Sequence, residues 1–325
     1  MAKKKGLTKK QIKSIIATIA LIISLIISAY YAYEEYKAEL AKQQEIQVSA
    51  EADANKFTSG NNETVDLNND KLNILFFYVG QADCTFLKFK DTTMLIDAGN
   101  NEDGKNIVNY LKENGITKIN YLIGTHADED HIGGLDDVIK GLDIEKIYMP
   151  KVGSDAVNYK NVVKQATNKN LKVESPKVGD TFDFADAKCE VLSQMDVKDV
   201  SKNNSSIVFQ VNYGNTKYLF TGDAEKEVEN SRTWEKVDVL KVGHHGSATS
   251  SSQKFLDQVK PHYAVIEVGK NNSYRLPNNH TIERLQNSGA TVLRTDTNQS
   301  SFWMTSDGNT IEENEVKVNL DGNKI

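Results

Sequence analysis

The chain has 325 residues, room for one large domain or two ordinary ones, and 39% of them are hydrophobic, which excludes an intrinsically disordered chain. Its net charge is −6, and Lys3, Lys4, Lys5, Lys9, Lys10 and Lys13 stand in a first segment with no acid, so the rest is more acidic still. That excludes the broad basic face that dominates non-specific nucleic-acid affinity, and two cysteines without a Cys-x-x-Cys exclude a thiolate zinc site and a thioredoxin-type motif.

In chain order, residues 1–13 form a basic tail, and residues 14–33 carry no charge and are dominated by Ile and Leu. Twenty helical residues at about 1.5 Å each span about 30 Å, the thickness of a bilayer's hydrocarbon core. Tyr30, Tyr31 and Tyr33 gather at the far end, where amphipathic rings favour an interface. Lysines before the span and Glu34 and Glu35 after it predict a single-pass anchor, N-terminus in the cytoplasm and the remainder outside. A cleaved signal peptide is the alternative, and no clear small-x-small cleavage site follows the span. Residues 34–70 are polar and read as a linker.

From 71 to 325 the pattern is that of one α/β domain. Apolar runs predict strands at Asn73–Val79, Thr85–Phe89 and Met94–Ile96, then a helix over Asn106–Asn114 and a buried strand over Asn120–Gly124. A helix follows at Leu135–Ile139, a strand at Ile147–Met149, a helix at Tyr159–Thr167 and a strand at Lys188–Leu192. Strands at Ile207–Val211, Lys217–Phe220, Val237–Val242 and His262–Glu267 come next, then a helix at Thr281–Asn287. Thr291–Leu293 and Ser300–Thr305 close the sheet, and the last dozen residues read as a polar tail. Strands interleaved with helices suggest sheets with helices packed outside. Cys84 and Cys189 each lie in a strand-like run and read as buried free thiols, with pairing left open.

One stretch organises the rest: Thr125-His-Ala-Asp-Glu-Asp-His-Ile-Gly-Gly134. His126, Asp128, Asp130 and His131 leave the end of a strand in a tight loop, where imidazoles and carboxylates can converge on a divalent metal. A solvated acidic turn is the bland reading, and the rest of the chain weighs against it. Strand, glycine turn and ligand-type residue recur at Asp97, at Asp223 and at His244 and His245. Four strand ends with such residues describe a site on one edge of a sheet.

These stretches resemble the metallo-β-lactamase fold superfamily, and more narrowly the hydrolase domain of the competence protein ComEC and its stand-alone relatives. The matching pieces are Phe77-Tyr-Val-Gly-Gln-Ala-Asp83, Leu95-Ile-Asp-Ala-Gly99, His126-x-Asp-x-Asp-His-x-Gly-Gly134, Asn203-Asn-Ser-Ser-Ile-Val208, Thr221-Gly-Asp223, Asp238-Val-Leu-Lys-Val-Gly-His-His-Gly-Ser247 and Arg294-Thr-Asp296. The resemblance implies an αββα sandwich with two divalent metal ions, zinc favoured and manganese the alternative. It implies that Asp130, His131 and one of His244 and His245 hold one metal, that His126 and Asp128 hold the other, and that Asp223 bridges them. His245 is the better match of the pair, because His245-Gly246 resembles the superfamily's last His-Gly element.

Two departures stand out. Asp128 takes the place of a histidine, and no histidine lies between His131 and His244, so the superfamily's usual third histidine is missing. Asn204 or Asn203 stands in that region as a weaker oxygen ligand or a substrate contact. The function implied is a membrane-anchored extracellular metallohydrolase, a phosphodiesterase or nuclease, using a metal-bound hydroxide. Its substrate would be a phosphodiester such as single-stranded DNA or a nucleotide, and no protein partner is predicted. Asp130 would orient the hydroxide, Lys241 and Ser247 are candidates to hold a phosphate, and Asp97 would stand behind the ligands. The competing readings are a non-catalytic metal-binding or scaffold domain and, disfavoured by Asp128 and the missing histidine, β-lactam hydrolysis. A multi-span channel is excluded for this chain alone, since it has one candidate span.

Overall fold

The computed structural model describes residues 62, 63, 65–195 and 200–322, with Lys9 and Lys37 as isolated positions. The expected anchor at 14–33, and the flanking tail and most of the linker, lie outside the described residues. Among those described, no helix is long and apolar enough to cross a membrane. The fold below belongs to the unit Gly60–Ile325.

Fifteen strands are described, and they form two sheets. The first half of the chain supplies β1 (Leu72–Phe76), β2 (Thr85–Phe89), β3 (Thr92–Ile96), β4 (Lys118–Ile123), β5 (Asp143–Tyr148) and β6 (Val173–Glu174). The second supplies β7 (Thr181–Phe184), β8 (Ala187–Ser193), β9 (Val208–Tyr213), β10 (Thr216–Phe220), β11 (Val239–Lys241), β12 (Tyr263–Ile266), β13 (Thr291–Arg294), β14 (Ser301–Ser306) and β15 (Ile311–Val316). One sheet runs β15-β14-β1-β2-β3-β4-β5-β6 and the other β13-β12-β11-β10-β9-β8-β7.

Burial explains why the central strands read as unbroken apolar runs. Every residue of β1 is buried. Leu72, Ile74 and Phe76 pack between the sheets, against Phe209, Val211 and Phe220 of the facing one. Leu75 points the other way, into a layer with Ile107, Leu111, Leu135 and Val138. Those residues come from α1 (Gly104–Glu113) and, after the short α2 (Glu129–Ile132), from α3 (Leu135–Gly141); α4 (Val157–Asn168) adds Val162. After the single turn α5 (Lys226–Glu229), α6 (Gln253–Val259) and α7 (Asn279–Asn287) cover the second sheet, with Phe255, Leu256 and Leu285 on Leu219, Leu240 and Ile266. The layers are helix, sheet, sheet, helix, with apolar residues needed on both faces of each sheet. Each fully buried large side chain contributes about 1.5–3 kcal/mol.

Two readings change. The C-terminal stretch is not a polar tail: β15 is an edge strand along β14, and Val316, Val318 and Leu320 are buried in the core. Glu312, Glu313, Asn314 and Glu315 on that edge strand make it look polar in sequence. The ordered contacts also begin before Lys71. Val65 is buried, and Glu63 N–H donates to the Lys317 carbonyl at 3.1 Å. Cys84 and Cys189 are buried free thiols, in different core layers.

Strands β3, β4 and β5 are parallel, as are β10, β11, β12 and β13. Their carboxyl ends therefore open on the same edge, the place where such sheets present functional loops.

Candidate metal centre

Each strand end delivers one part of the site. β3 ends at Asp97, whose Oδ1 accepts from Thr125 N–H and whose Oδ2 accepts from the Thr125 hydroxyl, both at 2.7 Å. Asp97 Oδ2 is also 2.8 Å from His131 Nδ1. One carboxylate thus fixes both the loop after β4 and the orientation of an imidazole, as its place behind the ligands implied. β4 runs into His126, then Asp128 at the start of α2, and α2 itself carries Asp130 and His131. Gly134, just beyond, has no room for a side chain: a Cβ there would meet the Ala98 carbonyl at 2.2 Å.

β10 ends in Thr221-Gly222-Asp223. Gly222 is at φ +51, and a Cβ would meet Thr125 at 2.9 Å, so only glycine lets this turn approach the β4 loop. Asp223 is buried at the centre, its N–H donating to Ser206 Oγ at 3.1 Å. β11 ends in a 3-10 turn, Gly243–Gly246, where His244 and His245 both take left-handed backbone at φ 51 and 48. A Cβ in that conformation costs roughly 1–2 kcal/mol per residue, a strain that persists where surrounding structure enforces it.

The imidazoles converge. His131 Nε2 is 3.2 Å from Asp223 Oδ1. From Asp223 Oδ2, His244 Nε2 is 3.7 Å away, and the Nε2 atoms of His126 and His245 are each 3.9 Å away. His245 Nε2 is 3.3 Å from Asp130 Oδ2, and His126 Nε2 is 3.4 Å from Asp128 Oδ2. Asp130, His131 and His245 make an inner group and His126, Asp128 and His244 an outer one, with His131 also beside His126 and with His126, His244 and His245 all facing the same oxygen, Asp223 Oδ2. His126, His131 and Asp223 offer ligand atoms within 4.8 Å of one another, and so do Asp130, His131 and His245. His244 stands at the rim of these groups.

The donor set fits divalent cations. His126 Nε2, His131 Nε2 and Asp223 Oδ1 are buried with no hydrogen-bond partner, an arrangement that costs free energy unless something else pairs them. Burial, helped by His131, lowers the His126 pKa to about 4, so it is the neutral imidazole that a metal needs. Burial opposes charge on His131 and His245 as well. Asp223 and Asp97 around the first, and Asp83 and Asp223 around the second, outweigh it and hold both well above the ordinary histidine value. Burial would raise Asp223, yet His131 and His245 hold it well below the usual carboxylate range. Protons are held here by the negative charge that would hold cations.

Other candidates are placed differently. Lys241 is buried at an inward position of β11, its ammonium 2.6 Å from Asp83 Oδ2 and 3.8 Å from Glu267 Oε2, and it donates to the Val242 carbonyl. It is committed behind the site and cannot hold a substrate phosphate. Asn204 Oδ1 accepts from Glu225 N–H at 3.0 Å, a contact that fixes the amide against the turn after Asp223. Its neighbour Asn203 faces the site, with Nδ2 3.4 Å from His244 Nδ1. The Ser247 hydroxyl pairs with Thr249 Oγ1 at 3.1 Å, on the outer side.

Three residues escaped the sequence reading. Asp83 Oδ1 is 3.1 Å from His245 Nδ1, and the Glu267 carbonyl accepts from the same nitrogen at 2.9 Å. Burial and Asp83 raise the Glu267 carboxyl pKa to about 8, against the pull of Lys241. Lys202, half-exposed at the rim, is ion-paired with Asp128. Asp83 follows a glycine turn and Glu267 ends a strand, the same signal that marked the others; Lys202 carries no signal, because its partner is remote in sequence.

Residues 77–269 match the family model of the metallo-beta-lactamase superfamily. ComE operon protein 3 of Bacillus subtilis (strain 168) is 37% identical over 198 residues, covering 60% of this chain and 26% of that protein. Recombination protein 2 of Haemophilus influenzae is 31% identical over 224 residues, covering 67% of this chain and 27% of that one. The chain thus spans about a quarter of the length of these relatives. Among solved structures, zinc-bound PqqB from Methylobacterium extorquens superposes with a TM-score of 0.48 at 11% identity, covering 68% of this chain and 97% of that one.

Proposed function

Because this chain belongs to the metallo-β-lactamase superfamily, we propose that it is a metal-dependent hydrolase of phosphodiesters, anchored by residues 14–33 with its catalytic unit outside the cell. The observation that carries the reading is the convergence of four imidazole Nε2 atoms on one buried carboxylate, Asp223, at 3.2–3.9 Å. Asp130, His131, His245 and Asp223 would hold one divalent cation, and His126, Asp128 and Asp223 a second. Imidazole favours zinc, and the carboxylates admit manganese. Cations bound there supply a lowered water pKa and charge compensation for the transition state.

The protein's own residues do the rest. Asp97 and Asp83 each face the Nδ1 of a histidine, His131 and His245, leaving its Nε2 turned inward. Asp130 is partly exposed toward the opening, in reach of an attacking water whose proton it can accept. Lys202 at the rim offers a charge to a substrate phosphate. The net charge of −6 favours a small or single-stranded substrate, a nucleotide or single-stranded DNA, over a long duplex.

The full chain loaded with zinc or manganese is expected to cleave bis(p-nitrophenyl) phosphate, with turnover abolished by Asp130→Ala. Bound metal without turnover on that diester, on dinucleotides and on single-stranded DNA would instead make the domain a metal-binding scaffold. Membrane fractionation and protease protection of the amino terminus test the anchor and its orientation.

A further inference from the structure

The outer side of the site lacks a histidine, and the geometry points to its replacement: we propose that His244 and His245, adjacent in sequence, ligate different cations, His245 the inner one and His244 the outer one. The inference rests on the two-cation reading above and assigns the outer site a ligand from the chain's own departure.

Three observations carry it. First, His244 Nε2 is 3.7 Å from Asp223 Oδ2, as near as His126 and His245 at 3.9 Å, so it shares the carboxylate around which the other imidazoles are arranged. Second, His131 and His245 have a carboxylate at Nδ1, Asp97 at 2.8 Å and Asp83 at 3.1 Å. His244 has the same arrangement, with Glu225 Oε1 3.4 Å from its Nδ1. A carboxylate accepts only, so Nδ1 carries the proton there and Nε2 keeps its lone pair toward Asp223, the arrangement found in metal-binding histidines. Third, successive residues at φ 51 and 48 are strained, and extended backbone would send neighbouring side chains to opposite faces. The strained turn brings both rings to Asp223.

His244 is also the more exposed of the two, its side chain 27% accessible against 2% for His245. It therefore has room to close the last few tenths of an ångström onto a cation. Glu225 acts through His244, as a positioning residue. Asn203 Nδ2 at 3.4 Å and the Thr249 hydroxyl at 3.3 Å also reach this Nδ1; the hydroxyl can accept from it as Glu225 does, whereas donation by either would require the other tautomer.

The test is metal stoichiometry and affinity of the full chain, read by zinc titration against a chromophoric chelator, with no turnover needed. Wild type is expected to bind two equivalents and His244→Ala one, with the remaining affinity unchanged. Glu225→Gln, a milder change, is expected to keep two sites and weaken one about 10–100-fold. His245→Ala should abolish the other site. Two equivalents of unchanged affinity in folded His244→Ala would overturn the inference and leave the hydrolase reading standing. One equivalent in wild type would also overturn it, and no zinc in wild type would sink the metallohydrolase reading itself.

Discussion

The two sides of Asp223 are built to different standards. The inner side has buried imidazoles: His131 and His245 each have a carboxylate at Nδ1, Lys241 is sealed behind them with Asp83 and Glu267, and Asp130 alone of the group is part-exposed. The outer side is open. His126 is buried with only the Thr125 hydroxyl at its Nδ1, Asp128 is part-exposed and paired with Lys202, and His244 comes from the rim. A preformed set of ligands holds a cation tightly, whereas a partly exposed set must be gathered and freed of competitors. On the proposed reading, an inner cation would find its ligands in place, whereas an outer one would have to gather them.

Breaking what both sides share gives the largest effect. Asp223→Ala should lower turnover by about three orders of magnitude or more and remove both cations on dialysis, checked by elemental analysis. Next comes the buried pair behind the inner side. Lys241→Met removes the ammonium nearest buried Asp83 and leaves it facing His245, and should cost up to about 3–5 kcal/mol of stability in thermal or urea denaturation. Adding Asp83→Asn should recover much of that loss, since no buried charge is then left bare. Asp97→Asn should weaken the inner cation about 10–100-fold and the outer one less, because Asp97 faces His131 directly and His126 only through Thr125, read by the same zinc titration.

Acidity separates the metal-free and loaded proteins. His131 and His245 have pKa values raised well above the ordinary histidine value in the metal-free fold. Protonation therefore stabilises that fold fully below about pH 6.5, the unfolded value, and the contribution is lost as pH rises through the folded values. The Tm of chelator-treated protein should fall from pH 6.5 to 9, and the zinc-loaded protein should fall less, because cations replace the protons. Zinc affinity should rise over the same range. The smallest effect belongs to the outer rim: Lys202→Met should change stability by less than about 1 kcal/mol, yet raise KM for a phosphodiester and strengthen cation binding at Asp128.

The sequence exposed the parts of this comparison unequally. Strand ends followed by glycine and a ligand-type residue marked Asp97, His126, His131, Asp223, His244 and His245, because short continuous apolar runs locate buried strands and tight turns place such residues at their ends. Interleaved strands and helices indicated sheets with helices packed outside, and the four-layer arrangement came from the family resemblance. Lys241 misled, since a charged residue inside a buried strand looks free until Asp83 and Glu267, from separate loops, are seen beside it. The hydrogen bond that fixes Asn204, accepted from Glu225 N–H, was hidden for the same reason, being a contact across 21 residues. The edge strand β15 was hidden by its acidic face, and Lys202 by distance along the chain.

Anomalous diffraction at the zinc edge, from crystals of the protein grown with zinc, tests the central claim most directly. Two peaks flanking the Asp223 carboxylate are expected, one about 2.1 Å from the Nε2 atoms of His131 and His245 and the other at the same range from His126 Nε2. A map with zinc bound elsewhere and nothing within coordination distance of Asp223 would contradict the account.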